Sequence, residues 1–350
     1  MPASEFIGWF ADIGLGDRAR VGGKGGSLGE LQRAGIAVPP GFVVLTTAFE
    51  RFLNGLERKG PIRSLIDGLS ADDHAAVSAC CAQIRTRVTE EPLPTDLLDE
   101  VSSAYAALCG DAGLDAVAVR SSATTEDSAD LSFAGLQDTY LWVTSLSQIL
   151  HRIRTCWASL YSTESVIYRR KSRLPEEGVA MAVVVQKMVN ARTAGVMFTR
   201  SPMTGDRSVL TVEAAWGLGS SVVGGEVTPD RWVVGKITGD ISVREISAKL
   251  IQHVPMPGGG IEALPVAETL RDTPSLSDEE LQGLRAIARR VEKHYGRPQD
   301  IEWAVAHETN EILLLQSRPE TVWSGKAAEP VARPASDPHA HVMSVFGGKR

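Results

Sequence analysis

The chain has 350 residues, 43% hydrophobic and 23% charged, the balance of a soluble globular protein with room for two domains or two lobes around one cleft. Its formal net charge of -7, with acids and bases intermixed, argues against a nucleic-acid or anionic-membrane partner, so an anionic ligand has to be met by local basic residues. The start MPASEFIGWF has neither a basic region nor a long apolar core, no segment approaches a membrane span, and Cys80, Cys81, Cys109 and Cys156 form no CxxC pair and no zinc-spaced cluster; a cytoplasmic protein with buried free thiols is expected.

In chain order, the first marked segment is Val21-Gly22-Gly23-Lys24-Gly25-Gly26-Ser27, which sets glycines on both sides of one lysine. Glycine tolerates positive φ and close backbone approach, so the segment can aim N–H groups at an anion while Lys24 adds charge. It does not match the Walker A pattern, and a glycine-rich turn before a helix is more often structural. Ser27 and Glu30 have capping-box spacing and predict a short helix from Ser27 to about Gly35. Apolar, β-branched runs predict strands over 41–45 and 116–120. The second runs into Arg120-Ser121-Ser122-Ala123-Thr124-Thr125-Glu126-Asp127, where an arginine fork followed by hydroxyls suits a phosphate or a plain Ser/Thr turn equally. Ser145 and Gln148 open a longer helix with Leu146, Ile149, Leu150, Ile153, Trp157 and Leu160 at helical spacing. Further strands are predicted over 178–189 and 208–214. Ser277 with Glu280 caps a helix that turns Leu281, Leu284, Ile287, Ala288 and Val291 inward and stops at Gly296.

Two strands close the ordered part, over 300–306 and 312–317, and their pairing is informative. With Glu308, Thr309 and Asn310 as a three-residue loop, Glu302 faces Gln316 and Asp300 faces Arg318, all four on one side. Ile301, Trp303, Val305, Leu313 and Leu315 would then form an apolar surface on the other. A carboxylate beside an amide carbonyl offers hard oxygen donors that nucleotide phosphates could complete into an octahedral Mg²⁺ site, although an exposed polar hairpin face is the plain alternative. No internal repeat is present, and after about Trp323 the composition turns to Ala, Pro and short polar residues, a flexible tail over 324–350.

The blocks GGKGGSLGEL, VPPGFVVLTTAF, VAVRSSATTEDSADLSFAGLQDTY, VVVQKMVNARTAGVMFTRSP, EAAWGLGSSVVGGEVTPDRW and DIEWAV followed by LLLQSRP occur in this order. Together they resemble the nucleotide-binding domain of phosphoenolpyruvate synthase, pyruvate phosphate dikinase and rifampicin phosphotransferase over roughly residues 10–323. The resemblance implies an α/β ATP-grasp fold, with an N-terminal lobe over 1–190 and a C-terminal lobe over 191–323 closing on ATP and Mg²⁺. Carried over by position, Lys24 and Arg120 are phosphate-binding residues, and Arg318 stabilises charge on the phosphoryl group in flight. Glu302 and Gln316 match metal ligands, with Asp300 close by. Gln186, Lys187 and Met188 lie on the strand that resembles the adenine-binding linker, Glu213 matches an acid near ribose or adenine, and Thr139 and Gln137 sit near the phosphates.

In the family so resembled, a pyrophosphoryl group passes from ATP to a histidine on a swivelling domain, within a Gly-Gly-x-Thr-x-His type motif. None of the seven histidines (His74, His151, His253, His294, His307, His339, His341) has that setting. The resemblance therefore points to the split-subunit type, similar to the ATP-binding subunit of phenylphosphate synthase, with the histidine and the acceptor site on a partner subunit. The acceptor would be a phenol-like or benzylic alcohol, or pyruvate. A stand-alone small-molecule kinase releasing ADP, a nucleotide-sensing module and a fragment of a longer chain remain the competing readings.

Overall fold

Short β-branched runs and longer stretches of helical periodicity alternate along the chain, and in the computed structural model they assemble into two antiparallel sheets with helices against them. The structure describes residues 4–110, 116–124 and 138–323. In the first half these form β1 (Ile7–Trp9), α1 (Arg18–Arg33), β2 (Gly41–Val44), α2 (Thr46–Glu57), α3 (Arg63–Asp67), α4 (His74–Glu90), α5 (Thr95–Cys109), β3 (Val117–Ala123), β4 (Thr139–Val143), α6 (Leu146–Ser159), α7 (Thr163–Lys171) and β5 (Met181–Lys187). The second half contributes β6 (Ala191–Phe198), β7 (Val209–Trp216), α8 (Ser220–Val223), β8 (Asp230–Gly235), β9 (Ile241–Glu245), β10 (Ile251–Pro255), β11 (Ile261–Pro265), α9 (Glu268–Arg271), α10 (Asp278–Tyr295), β12 (Gln299–Ala306) and β13 (Ile312–Pro319). The first sheet has the order β1-β2-β5-β3-β4, the second β13-β12-β6-β7-β8-β9, and β10-β11 form a separate hairpin. One contact unit runs to Glu320; of the second, Thr321–Arg350, only residues 321–323 are described, so the tail expected over 324–350 lies outside them, with His339 and His341.

The first sheet is covered on both faces. On one, Phe49, Phe52 and Trp157 from α2 and α6 lead a large core with Val117, Val119, Val183 and Val185. Trp157 packs against both phenylalanines at ring separations of 5.8 and 5.1 Å and donates its indole N–H to the Met181 carbonyl. On the other face Val21 and Leu28 of α1 meet Val43, Ala182 and Val184. Burial on both sides is why β5 reads as an unbroken apolar run rather than an alternation. The second sheet buries one face, Met197, Val212, Trp232, Ile301 and Trp303, against Leu281, Leu284, Ala288 and Val291 of α10. α1 also supplies Leu31 to this second core, so one helix serves both sheets.

The expected caps of α6 and α10 are present: Ser145 accepts from the Gln148 N–H, the Ser277–Glu280 box closes in both directions, and Gly296 ends α10 at φ 67. The cap expected at Ser27 is not. α1 is already helical there, and the Ser27 hydroxyl donates instead to the Ser317 carbonyl of β13 at 2.6 Å. Strands β1, β4, β6 and β8 to β11 carry too little alternation for the sequence to announce them. The four cysteines are free thiols, Cys80 half-buried and the rest buried. Among the described residues no helix is long and apolar enough to cross a membrane.

The closing hairpin also differs in detail. Asp300 does face Arg318 and Glu302 faces Gln316, but nearer the turn the partners are Trp303 with Leu314, Ala304 with Leu313 and Val305 with Ile312. A β-bulge between Glu302 and Trp303 absorbs the extra residue of β13. Leu314 consequently joins the buried core, whereas Leu313 and Leu315, expected beside Trp303, pack with Ala194, Ala304 and Ala306 on the opposite side.

Glu30 of α1 accepts from the Leu15 N–H at 3.3 Å and lies 2.6 Å from His294 Nε2 at the end of α10. Burial pushes its carboxyl up, but the hydrogen bonds from His294 and Leu15 outweigh this and hold it below the ordinary carboxylate value. A carboxyl whose folded-state pKa is depressed stabilises fully above its unfolded value, and the contribution is lost as pH falls through the folded one. Glu30→Gln should therefore lie below wild type in stability at neutral pH and converge with it in acid. Urea melts stepped between about pH 3 and 7 measure this; parallel curves for the two proteins would show that the contact contributes nothing.

Candidate active site

Gly22 breaks α1 with φ 70 and ψ -178, so the helix that matters for the site starts anew at the Gly-Lys-Gly-Gly run. The break is tied down from β3: the Ser122 hydroxyl donates to the Val21 carbonyl at 2.8 Å and accepts from the Gly25 N–H at 3.1 Å. A side chain at 22 would place its Cβ 2.1 Å from the Ser122 carbonyl oxygen, so this position requires glycine on two counts. The kink delivers Lys24, which is 6% exposed, to the wall of a cavity of about 670 Å³.

The same cavity is lined by Arg120 and Thr139, cross-strand partners on β3 and β4, by Gln186, Lys187 and Met188 at the end of β5, and by Glu302 of β12. Residues 186–188 are pinned by their neighbours: Gln186 Nε2 donates to the Pro39 carbonyl, Lys187 N–H to Pro40 and Met188 N–H to Ala116. Arg120 is buried and forked across to the second sheet. Its Nη1 donates to the Leu315 carbonyl at 2.9 Å, and Nη2 donates to Gln316 Oε1 at 2.7 Å and to Glu302 Oε2 at 3.2 Å. Nε is buried without a partner among the described residues. The bulge explains the arrangement, since Leu315 is the residue it inserts and its carbonyl is thereby available to Arg120.

Three expected site residues lie off the cavity wall: Gln316, which reaches the site only through Arg120, and Arg318 and Glu213, which stand farther apart. Arg318 does not line the cavity; it is 52% exposed and its Nε lies 3.5 Å from Asp300 Oδ2, one cross-strand pair beyond Glu302 and Gln316 on the same face. Burial raises the Asp300 carboxyl, with Arg318 pulling it back down. Glu213 shares a cross-strand row with Glu302 but lies two strands away on β7, opposite Arg231 and off the cavity wall. Burial raises its carboxyl, and Arg231 opposes that. Gln137, expected near the phosphates, lies outside the described residues. Among those residues no cluster of three or more His, Cys, Asp or Glu side chains is poised to hold a metal ion alone.

Sequence reasoning missed a second polar group on the wall. Ser220 Oγ lies 2.8 Å from His253 Nδ1, and His253 Nε2 lies 3.3 Å from Glu226 Oε2, all three lining the cavity. Spacing carried no signal for it, because His253 arrives on the β10–β11 hairpin from outside both sheets.

Comparison with known proteins gives a consistent family. A profile described as "Pyruvate phosphate dikinase, AMP/ATP-binding domain" matches residues 18–338. The chain is 41% identical over 347 residues to a probable phosphoenolpyruvate synthase of Staphylothermus marinus, covering 91% of this chain and 42% of that protein. It is 40% identical over 363 residues to the phosphoenolpyruvate synthase of Aeropyrum pernix, with 95% and 44% covered. To a rifampicin phosphotransferase from a Streptomyces species it is 41% identical over 312 residues, with 89% and 35% covered. The chain thus spans less than half the length of each of these relatives. Among solved structures, D-alanyl-alanine synthetase A of Vibrio cholerae aligns at a TM-score of 0.27 and 14% identity, covering 71% of this chain and 57% of that one, a likeness too loose to place residues.

The kink makes a stability prediction. Gly22→Ala combines a positive φ with a backbone collision and should lower the unfolding free energy by about 2–4 kcal/mol, whereas Gly16→Ala, which meets nothing within 4 Å, should change it by about 0.5 kcal/mol or less. Urea denaturation of both variants decides it, and a Gly22→Ala protein as stable as wild type would show that the break in α1 is dispensable.

Proposed function

The chain belongs to the family of pyruvate phosphate dikinase AMP/ATP-binding domains, and from that membership we propose that it is the nucleotide-binding, phosphoryl-donating part of a phosphoenolpyruvate synthase-like phosphotransferase. In this reading the two sheets act as two ATP-grasp lobes, ATP occupies the cavity between them, and a phosphoryl or pyrophosphoryl group leaves it for a histidine on another domain or on a partner subunit. AMP and inorganic phosphate are the by-products, and the phosphohistidine then serves a small-molecule acceptor, pyruvate or an alcohol, held outside this chain.

The observation that supports this best is that two buried cations from different elements, Lys24 and Arg120, reach one cavity together with the residue 186–188 linker and the Glu302 carboxylate. Arg120 is paired with Glu302, yet its buried Nε donates to nothing among the described residues, which fits a site that receives an anion. The cavity volume lies within the roughly 300–1,000 Å³ of small-molecule sites. Glu302 and Gln316 would hold Mg²⁺: both put an oxygen within hydrogen-bond reach of the same guanidinium nitrogen, and both are hard donors. Two protein oxygens are few, which suits an ion whose remaining ligands are phosphate oxygens and water. When bound, the ion supplies charge neutralisation on the phosphates.

Phosphoryl transfer needs little covalent help from side chains, so positioning and electrostatics are what these residues contribute. Lys24 and Arg120 orient the phosphates. In this reading Arg318, exposed and 3.5 Å from Asp300, meets charge on the group in flight once the incoming imidazole approaches. Lys24→Ala and Arg120→Ala should each weaken ATP binding by about tenfold or more, and Glu302→Ala should remove most of its Mg²⁺ dependence, as read by calorimetry with and without the metal. Arg318→Ala should leave ATP affinity within a few-fold but cut AMP formation by about 100-fold or more when the histidine-bearing component is supplied. Unchanged turnover in that variant would take Arg318 out of the site, and ADP rather than AMP as product would point to a stand-alone kinase.

A further inference from the structure

Resting on the reading of the cavity as a nucleotide site, we propose that Glu226 is its ribose-recognising carboxylate, positioned by His253 and Ser220, and that it gives the protein a preference for ribonucleotides over deoxyribonucleotides. The acid expected in this role, Glu213, lies off the wall, whereas Glu226 lies on it.

Glu226 is 52% exposed and follows the four-residue helix α8, a place where a carboxylate is ordinarily mobile. Here it is held. His253 Nε2 stands 3.3 Å from Glu226 Oε2, within ion-pair range, and its Nδ1 lies 2.8 Å from the Ser220 hydroxyl, with which it shares a hydrogen bond. His253 is fixed in turn by its backbone. The Leu218 N–H donates to its carbonyl at 3.0 Å, and Gly217, at φ 75, approaches so closely that a Cβ there would stand 2.5 Å from that oxygen. His253 itself is 9% exposed on its side chain, so it is built into the wall rather than lying on the surface.

His253 approaches Oε2, and no hydrogen bond from the described residues reaches either Glu226 oxygen. The adjoining wall, Val189, Ala194, Leu218 and Val223, is apolar and offers nothing to compete. An acceptor-only group beside such a wall selects a ligand that brings its own donors, and within an adenine nucleotide these are the base amino group and the vicinal hydroxyls of the sugar. The base fits the apolar surface beside Met188 and the phosphates fit Lys24 and Arg120, so the sugar is what remains for a carboxylate that is half in water.

Calorimetric titration of the full chain with MgATP, Mg-2′-dATP and Mg-3′-dATP tests the assignment, on wild type, Glu226→Gln and His253→Ala. Wild type should favour ATP over at least one deoxy analogue by about tenfold or more, as expected for a charge-assisted hydrogen bond. Glu226→Gln should weaken ATP, leave the deoxy analogue nearly unchanged and so bring their ratio to about twofold or less. His253→Ala should shrink the same ratio, a readout that a purely structural role would not move. The proposal is overturned by a wild type that does not discriminate, by an unaltered ratio in Glu226→Gln, or by equal losses on ATP and both deoxy analogues. ATP binding that persists while the ratio fails to respond rejects the ribose role alone; a wild type that binds no nucleotide rejects the cavity reading as well. Should His253→Ala not fold, the half-exposed Glu226→Gln decides the matter.

Discussion

One buried guanidinium joins the two halves of this molecule. Arg120 grows out of the first sheet and spends its donors on the second, on the Leu315 carbonyl, the Gln316 amide oxygen and the Glu302 carboxylate. A charge taken this far out of water is tolerated only when its partners are fixed. That requirement accounts for much of the local architecture: the bulge that turns the Leu315 carbonyl outward, the cross-strand pairing that sets Gln316 beside Glu302, and the burial of Arg120 itself at 7% exposure. On the proposed reading, the residue that ties the sheets together is also the one that meets the phosphates between them.

α1 imposes the second constraint. It packs Leu28 against the first sheet and Leu31 into the core of the second, and Ser27 hydrogen-bonds β13 between them. A helix held on both sides cannot slide, so the break at Gly22 sets the position of Lys24 relative to both sheets at once. The glycines in this stretch also serve close packing: a Cβ at Gly25 would stand 3.0 Å from the Val43 side chain, and one at Gly26 3.2 Å from the Gly14 carbonyl, so a larger residue there would push its neighbours aside.

The β10–β11 hairpin adds a third element to the cavity from outside either sheet. Its tip is fastened to the edge of the first sheet by the Gly260 N–H on the Trp142 carbonyl, and its base to the second through His253 and Leu218. The wall it completes is the one that carries Ser220, His253 and Glu226. The cavity is thus assembled from the kinked helix, the edge of one sheet, the closing hairpin of the other and this strap, with no single segment containing it.

What the amino-acid order settled unaided was local. Capped, periodic helices at Ser145 and Ser277, the apolar strand through residues 181–187, and the facing pairs Asp300–Arg318 and Glu302–Gln316 follow from side-chain periodicity and short-range hydrogen bonding, and they reappear in the structure. The six ordered blocks were enough to indicate the family. Tertiary structure decided the rest. It made Ser27 a helix-to-strand tether rather than a cap, inserted a bulge that moved Leu313 and Leu315 to the other side, kept Glu213, Gln316 and Arg318 off the cavity wall, and brought Ser220, Glu226 and His253 together. The reason is physical: periodicity reports which face of an element is apolar, but the partner that covers it, and the polar groups that burial then forces into contact, are set by chain segments far away in sequence.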